Sequence, residues 1–136
     1  MMKIFLFLSV MISFISACSS PDLLTNLSDN EWKVISIMGK KINPGNQPDG
    51  FPTLNFGNNN KLFGSTGCNR FIGSFKTDKN LISLEPGAVT KMHCPNSPEE
   101  TFLSAIKRVK EFKLEGNTLT LLNKSETIMT LIPLGK

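Results

Sequence analysis

Three cysteines and a single histidine are the most reactive side chains of this 136-residue chain. Cys18 ends a long apolar run, whereas Cys68 and Cys94 lie in the body of the chain with His93 beside Cys94. A thiolate acts as a nucleophile or metal ligand, and imidazole acts as a base or metal ligand. These residues therefore allow lipid attachment, a disulfide, a zinc site or a Cys/His nucleophilic pair.

Cys18 lies in a pattern typical of a bacterial lipoprotein signal peptide. A basic residue, Lys3, precedes 14 residues that are all apolar or serine, and the small residue Ala17 precedes the cysteine. Because a membrane-spanning helix needs roughly 20 apolar residues, this run is too short to span and fits a signal peptide. We predict a signal peptide over residues 1–17, with cleavage before Cys18 and acylation of its sulfur. Ordinary secretion, which would leave a plain Cys18 thiol, is the alternative.

The residues after Cys18 predict where the protein is sorted. Ser19 stands where an aspartate would retain a lipoprotein in the inner membrane of enteric-type bacteria. We therefore expect a lipid-anchored protein of the cell envelope, in the outer membrane and facing the periplasm. Residues 18–27 are predicted to form a lipidated tether, and residues 28–136 to form one domain.

Cys68 and Cys94 are the two cysteines that remain once Cys18 carries lipid. An even pair in an exported domain predicts a disulfide, because that compartment is oxidising. Two buried free thiols are the plainer alternative. Zinc binding by both cysteines and His93 is a further alternative, but it offers three donors without the close Cys-x-x-Cys spacing of structural sites. We expect no metal and no cofactor.

No set of catalytic residues stands out in the chain. A strand would point His93 and Cys94 to opposite faces, and no Gly-x-Ser-x-Gly elbow is present. The adjacent acids Glu99 and Glu100 are explained as capping and dipole partners of a helix, and Arg70 as the partner of a carboxylate or of carbonyl groups. The sequence therefore predicts a protein that is not an enzyme.

The charge of the chain gives no sign of nucleic-acid binding. The formal net charge is a mild +4, and the local basicity comes mostly from residues near a predicted helix end. Cations are favourable there because of the helix dipole, so we interpret them as a solvated surface. These residues are Lys107, Arg108, Lys110 and Lys113.

Short alternating segments separated by turns make up most of the domain. Gly57 to Asn60, Pro86-Gly87 and Gly116-Asn117 are turn signals between such segments. Residues 40–52 are rich in proline and glycine and predict a long loop. A helix that ends near Val109 is predicted by Ser97 as N-cap, Pro98 at the first helical position and Glu100 in a capping box. Its apolar face is formed by residues at helical spacing, namely Phe102, Ala105, Ile106 and Val109. The predicted strands are 32–37, 53–56, 61–66, 73–76, 81–84, 89–93, 112–115, 118–121 and 126–132. The fold class is mainly β (β-rich α+β), a seven- to eight-stranded antiparallel barrel-like roll with one helix.

The most specific stretch of the domain is a glycine- and cysteine-containing motif with a second motif downstream. Its residues are Gly67, Cys68, Asn69, Arg70, Phe71 and Gly73, followed by Thr90, Met92 and Cys94. With Trp32 before it and Leu119 and Leu121 after it, the chain resembles a META domain of the HslJ type. Alanine usually stands in that family where this chain has His93, so the resemblance implies nothing about His93.

The resemblance implies a small β-rich fold with a helix and a stress-associated envelope lipoprotein. From the residues themselves, Gly67, Asn69 and Gly73 are interpreted as backbone devices for a tight bend between strands. We expect a non-enzymatic binding or protective module with an unknown protein or small-molecule partner. The alternative is a barrel that binds an apolar ligand in an interior lined by Phe56, Phe63, Phe75 and Leu121.

Overall fold

The structure, a computed structural model, describes residues 23–135. Among these residues no helix is both long enough and apolar enough to cross a membrane. The elements are two α-helices, α1 (Leu23–Ser28) and α2 (Glu99–Ile106), a 3-10 turn (Asn58–Asn60), and nine strands: β1 (Glu31–Ile37), β2 (Lys40–Lys41), β3 (Thr53–Phe56), β4 (Lys61–Ser65), β5 (Arg70–Asp78), β6 (Leu81–Val89), β7 (Glu111–Glu115), β8 (Thr118–Asn123) and β9 (Glu126–Pro133).

Eight of the strands form a closed antiparallel ring. Neighbours follow the order β1, β3, β4, β5, β6, β7, β8 and β9, and β1 pairs with β9 to close it. The two-residue β2 pairs only with the end of β1, at Ile37 and Lys40. The predicted mainly β, barrel-like roll is therefore confirmed, with β2 added inside the stretch that was predicted to be a loop.

Alternating residues of the strands fill one hydrophobic core inside the ring. On β5 the buried residues are Phe71 and Phe75, and on β6 they are Ile82, Leu84 and Pro86. Phe102, on α2, is fully buried and its ring centroid lies 5.7 Å from that of Phe71, which joins the helix to the ring. Burial of such side chains contributes about 1.5–3 kcal/mol each and is the main force that holds α2 in place.

Helix α1 belongs to the same core. Leu27 is fully buried, and its carbonyl oxygen accepts a hydrogen bond of 2.9 Å from the indole Nε1 of Trp32. Buried Trp side chains usually need such a partner for the N–H group. The last residues of the predicted 18–27 tether are therefore helical, and Leu27 lies within the folded body.

Helix α2 begins and ends at positions other than those predicted. Pro98, not Ser97, is the N-cap, and the Ser97 hydroxyl accepts the N–H of Glu99 at 3.1 Å instead of closing a capping box with Glu100. The helix ends at Ile106 because Val109 bonds back to the carbonyl of Ile106, three residues earlier, in a tighter turn.

Strand β6 runs through the Pro86-Gly87 dipeptide that was predicted to be a turn. The pairing shifts there, so that Pro86 and Gly87 together oppose the single residue Gly73 on β5. This two-against-one arrangement is a β-bulge, which lets a strand continue past a proline. The predicted separate strand at 89–93 is accordingly wrong: β6 ends at Val89 and no strand follows before α2.

Replacing Gly73 with alanine should lower the free energy of unfolding by about 2 kcal/mol, since overpacking typically costs 1–3 kcal/mol. An added Cβ would overlap the carbonyl oxygen of Glu85 and would lie 2.7 Å from that of Pro86. Urea denaturation followed by circular dichroism measures the change. Gly135→Ala is the matched control because nothing lies within 4 Å of its added Cβ. Equal stability of the two variants would contradict the close approach at the bulge.

Candidate functional site

The family-like motif forms a buried loop between β4 and β5. Strand β4 ends at Ser65 and β5 begins at Arg70, so residues 66–69 make the connection. Thr66, Cys68 and Asn69 are at most 2% exposed, which is unusual for a loop. A buried loop needs partners for its polar groups, and side chains of the motif supply them.

Asn69 is the centre of the hydrogen-bond network. Its Nδ2 donates to the carbonyl oxygen of Met92 at 2.9 Å and to Oε2 of Glu99 at 2.8 Å. Its Oδ1 accepts from the hydroxyl of Thr90 at 2.9 Å and from the amide of Met92 at 2.6 Å. The side-chain amide therefore makes all four hydrogen bonds of which it is capable. The expectation that Asn69 is a backbone device is wrong: its side chain bonds the loop to two other segments.

Thr66 completes the same network. Its hydroxyl donates to Oε2 of Glu99 and accepts from the backbone amides of Cys68 and Asn69, at 3.2 and 2.8 Å. Glu99 was predicted to serve only as a capping and dipole partner. Its carboxylate instead bonds the first turn of α2 to the motif loop.

A second group of contacts joins the loop to residues 43–52. Oδ2 of Asp49 accepts from the Ser65 hydroxyl at 2.8 Å and lies 3.5 Å from Nε of Arg70. The Arg70 side chain is 73% exposed, so this ion pair contributes no more than about 1 kcal/mol. Of the two partners considered for Arg70, a carboxylate or carbonyl groups, the structure shows the carboxylate. Gly67 adopts a φ of +93°, where an added Cβ would lie 2.9 Å from the carbonyl oxygen of Gly50.

Cys68 and Cys94 form a disulfide, as predicted, with their Cα atoms 6.0 Å apart. The bond attaches the segment before α2 to the motif loop. Because both sulfur atoms are bonded to each other, neither is a thiolate, and the zinc and Cys/His alternatives lose their sulfur donors. Among residues 23–135, no group of three or more His, Cys, Asp or Glu side chains is placed to hold a metal ion.

Thr90, Met92 and His93 lie in the irregular segment that follows β6. The Thr90 hydroxyl accepts the amide of Arg70 at 3.0 Å while it donates to Asn69. Met92 takes part through its backbone alone, and its side chain is 52% exposed. His93 is exposed and lies outside the strands, so it is not the strand residue that the predicted segment 89–93 would make it.

An open groove of about 610 Å³ lies beside this network, between two loops. Its walls are residues 43–48 and 92–96, and Nε2 of Gln47 donates to the carbonyl oxygen of Pro95 at 3.1 Å between them. No Asp, Glu, Lys or Arg lines the groove, although 19% of the chain is charged. We call it the amide groove, because Asn43, Asn46, Gln47 and Asn96 line it.

The sequence patterns identified the motif but missed two of its partners. Glu99 could have been found from the capped helix only if α2 had been placed against the motif loop. Asp49 lies in the predicted loop at 40–52, where no periodicity marks a contact residue. The cluster is therefore larger than the motif, and it includes one acidic residue from each of two distant segments.

The comparisons with known proteins agree with the fold and the motif. Residues 25–134 match the META domain family model, and the chain therefore belongs to the META domain family. No curated protein matches the chain. A protein solved by NMR is 26% identical, with a TM-score of 0.61 over 81% of this chain and 93% of that one.

Two further solved structures share the fold at lower identity. An NMR structure of a protein from Burkholderia xenovorans is 18% identical, with a TM-score of 0.66 over 86% of this chain and 90% of that one. A crystal structure of a DUF4847 family protein from Bacteroides vulgatus is 15% identical, with a TM-score of 0.58 over 81% of this chain and 95% of that one.

Proposed function

We propose that this chain is a lipid-anchored envelope lipoprotein whose META domain is a non-enzymatic, stress-associated binding or protective module. The proposed location is the outer membrane, facing the periplasm. The lipoprotein pattern at Cys18 and membership of the META family support this proposal. Residues 1–22, which carry the predicted signal peptide and Cys18, lie outside the described residues.

The proposal that the domain is not an enzyme is supported mainly by the hydrogen bonds of the motif, whose side chains are already fully bonded within the protein. The side chains of Asn69 and Thr66 form their hydrogen bonds with other groups of the protein, and Cys68 is in a disulfide. A general base or nucleophile needs a reactive atom within reach of a substrate. These motif side chains instead fix the loop, the segment 90–98 and helix α2 relative to one another.

The amide groove is the surface that we propose for the unknown protein or small-molecule partner. The disulfide, the Gln47–Pro95 hydrogen bond and the two Asn69–Met92 hydrogen bonds hold its walls. Binding is favoured when a site is held in one conformation before the ligand arrives. Its amide side chains, together with the lack of Asp, Glu, Lys and Arg, favour a neutral partner that offers hydrogen bonds.

The alternative of an apolar ligand inside the ring gains no support from the positions of its proposed lining residues. The rings of Phe56 and Phe75 contact each other edge to face at 5.1 Å, and Leu121 is fully buried. Phe63 is 38% exposed and points out of the ring, so its predicted place in the interior is wrong. The described aromatic residues therefore fill the core at this point.

Cys18→Ala should abolish incorporation of radiolabelled palmitate and leave an unprocessed precursor. The physical reason is that the sulfur of Cys18 is the atom to which the lipid is attached. Labelled cells that express the unaltered protein or the variant are compared on a gel. Cys68→Ala/Cys94→Ala is the matched control and should retain the label, since those sulfurs are bonded to each other. Equal palmitate labelling of the Cys18→Ala variant and the unaltered protein would refute the lipid anchor. Catalytic turnover by the protein that disappeared with a substitution in the motif would refute the proposal that the domain is not an enzyme.

A further inference from the structure

Two large apolar side chains face solvent side by side on the outside of the ring. Phe63 on β4 is directly opposite Ile72 on β5, and they are 38% and 58% exposed. Residues directly opposite in an antiparallel pair have Cβ atoms about 4.5–5.5 Å apart, so the two side chains form one patch. Single exposed apolar residues are ordinary, and this pair differs from them because its two side chains are contiguous.

Cations flank this patch. Nζ of Lys61 lies 5.5 Å from the centroid of the Phe63 ring, and Arg70 lines the same shallow groove of about 260 Å³ as Lys61, Phe63 and Ile72. Acidic groups are also near: Glu31 lines the groove, and Asp49 pairs with Arg70. We call Lys61, Phe63, Arg70 and Ile72 the outer patch. Apolar side chains edged by Lys and Arg are typical of surfaces that lie at a lipid–water interface.

The strand register connects the outer patch to the point where the chain enters the domain. Phe63 is opposite Asn55 on β3, and Asn55 is opposite Glu31, the first residue of β1. Two strand spacings of about 4.8 Å place Phe63 roughly 10 Å from β1. Helix α1, which packs against β3, ends three residues before Glu31, so the chain enters the domain beside β3, the strand next to β4.

The length of the chain before α1 limits how far the domain can stand from a membrane. Only residues 19–22 separate Cys18 from Leu23, the first described residue. Five Cα–Cα steps of at most about 3.6 Å span no more than roughly 18 Å. A domain of this size is about 35 Å across, so an acylated Cys18 would restrict the bilayer to the surface near α1 and β1.

We propose that the outer patch rests on the bilayer, with Phe63 and Ile72 at the headgroup level and Lys61 and Arg70 near lipid phosphates. This inference rests on the proposed acylation of Cys18. It leaves the amide groove to a different surface, since none of the outer-patch residues lines that groove. The partner of this surface is therefore a phospholipid membrane that contains anionic lipid.

The test uses the full lipidated protein, reconstituted in vesicles of phosphatidylcholine and phosphatidylglycerol with bromine on the upper acyl chain. Phe63→Trp and Ile72→Trp each place a reporter in the outer patch, and Leu122→Trp is the control on β8, across the ring from β4. The native Trp32, which is 1% exposed, gives the baseline in the unaltered protein. An interfacial side chain penetrates roughly 5–10 Å, so we expect quenching about threefold stronger at either outer-patch reporter than at the control.

The two proposals fail in different ways. If the unaltered protein does not float with the vesicles, the lipid anchor, and with it the orientation, is overturned. If the protein floats and both outer-patch reporters are quenched no more than the Leu122→Trp reporter, the orientation alone is overturned. We define the extra quenching as the amount by which the outer-patch reporter exceeds the Leu122→Trp control. Lys61→Glu in the Phe63→Trp background should halve it. Extra quenching that did not depend on phosphatidylglycerol would refute the contact with anionic headgroups.

Discussion

Replacing Asn69 with aspartate should lower the free energy of unfolding by about 4 kcal/mol, the largest effect expected of any substitution in the motif. The new carboxylate would lie where Nδ2 now lies 2.8 Å from Oε2 of Glu99, so a hydrogen bond becomes a repulsion between like charges. The bond that Nδ2 donates to the carbonyl of Met92 is lost as well. Urea denaturation followed by circular dichroism measures the loss.

Two companion variants separate this network from a general effect of added charge. Asn69→Asp/Glu99→Gln should recover roughly half of the lost stability, because the glutamine amide can donate to the new carboxylate. Asn117→Asp, at an exposed hairpin turn, should change stability by less than about 0.5 kcal/mol. The network has no special role if the double variant is no more stable than Asn69→Asp.

Removing the disulfide should lower the free energy of unfolding by about 3.5 kcal/mol. The bond joins residues 26 apart in sequence, and closing a loop of that length costs the unfolded chain about this much in the chain-entropy model. Cys68→Ala/Cys94→Ala should therefore melt about 15 °C below the unaltered protein, since 1 kcal/mol corresponds to roughly 4 °C for a domain of this size. Thermal denaturation without reductant measures the shift.

Dithiothreitol provides the matched control for the disulfide. It should lower the Tm of the unaltered protein to that of the double alanine variant, and it should leave the variant unchanged. A reductant effect on the variant would show that another group is responsible. Equal melting of both proteins without reductant would mean that Cys68 and Cys94 are not joined in solution.

Local patterns predicted the fold wherever the signal lies within a few residues. The alternation on either side of Gly116-Asn117 predicted the β7–β8 hairpin, and the apolar spacing of Phe102, Ala105 and Ile106 predicted α2. These signals are reliable because a half-buried strand and an amphipathic helix each fix which residues face the core. The number and shortness of the strands predicted a barrel-like roll.

The Cys68–Cys94 bond was predicted from the even number of cysteines, but two other contacts between distant segments were not. Pro86-Gly87 has the composition of a turn, but the opposing Gly73 has no side chain, and this lets β6 continue through a bulge. Glu99 has the position of a capping residue, but the packing of Phe102 against Phe71 places α2 beside the motif loop. In both cases the structure depends on packing between distant segments, which no local sequence pattern indicates.

The side chains of the family motif hold segments of the described structure together. Asn69, Thr66 and the Cys68–Cys94 bond connect the motif loop, the segment before α2 and α2 itself. Networks of this kind are stabilising only when every member is satisfied, which explains why the motif needs these residue types together. The surfaces that we propose for partners are the amide groove and the outer patch, and the Asn69 side chain lines neither of them.

Intact mass spectrometry of the protein purified from native envelopes without reductant tests the central claim most directly. A lipid-anchored, disulfide-closed domain predicts a chain that begins at Cys18, carries acyl groups on that residue, and gains no mass from a thiol-alkylating reagent. After reduction, alkylation should add two groups, at Cys68 and Cys94. A chain that keeps residues 1–17, or that lacks acyl groups and is alkylated without reduction, would contradict the account.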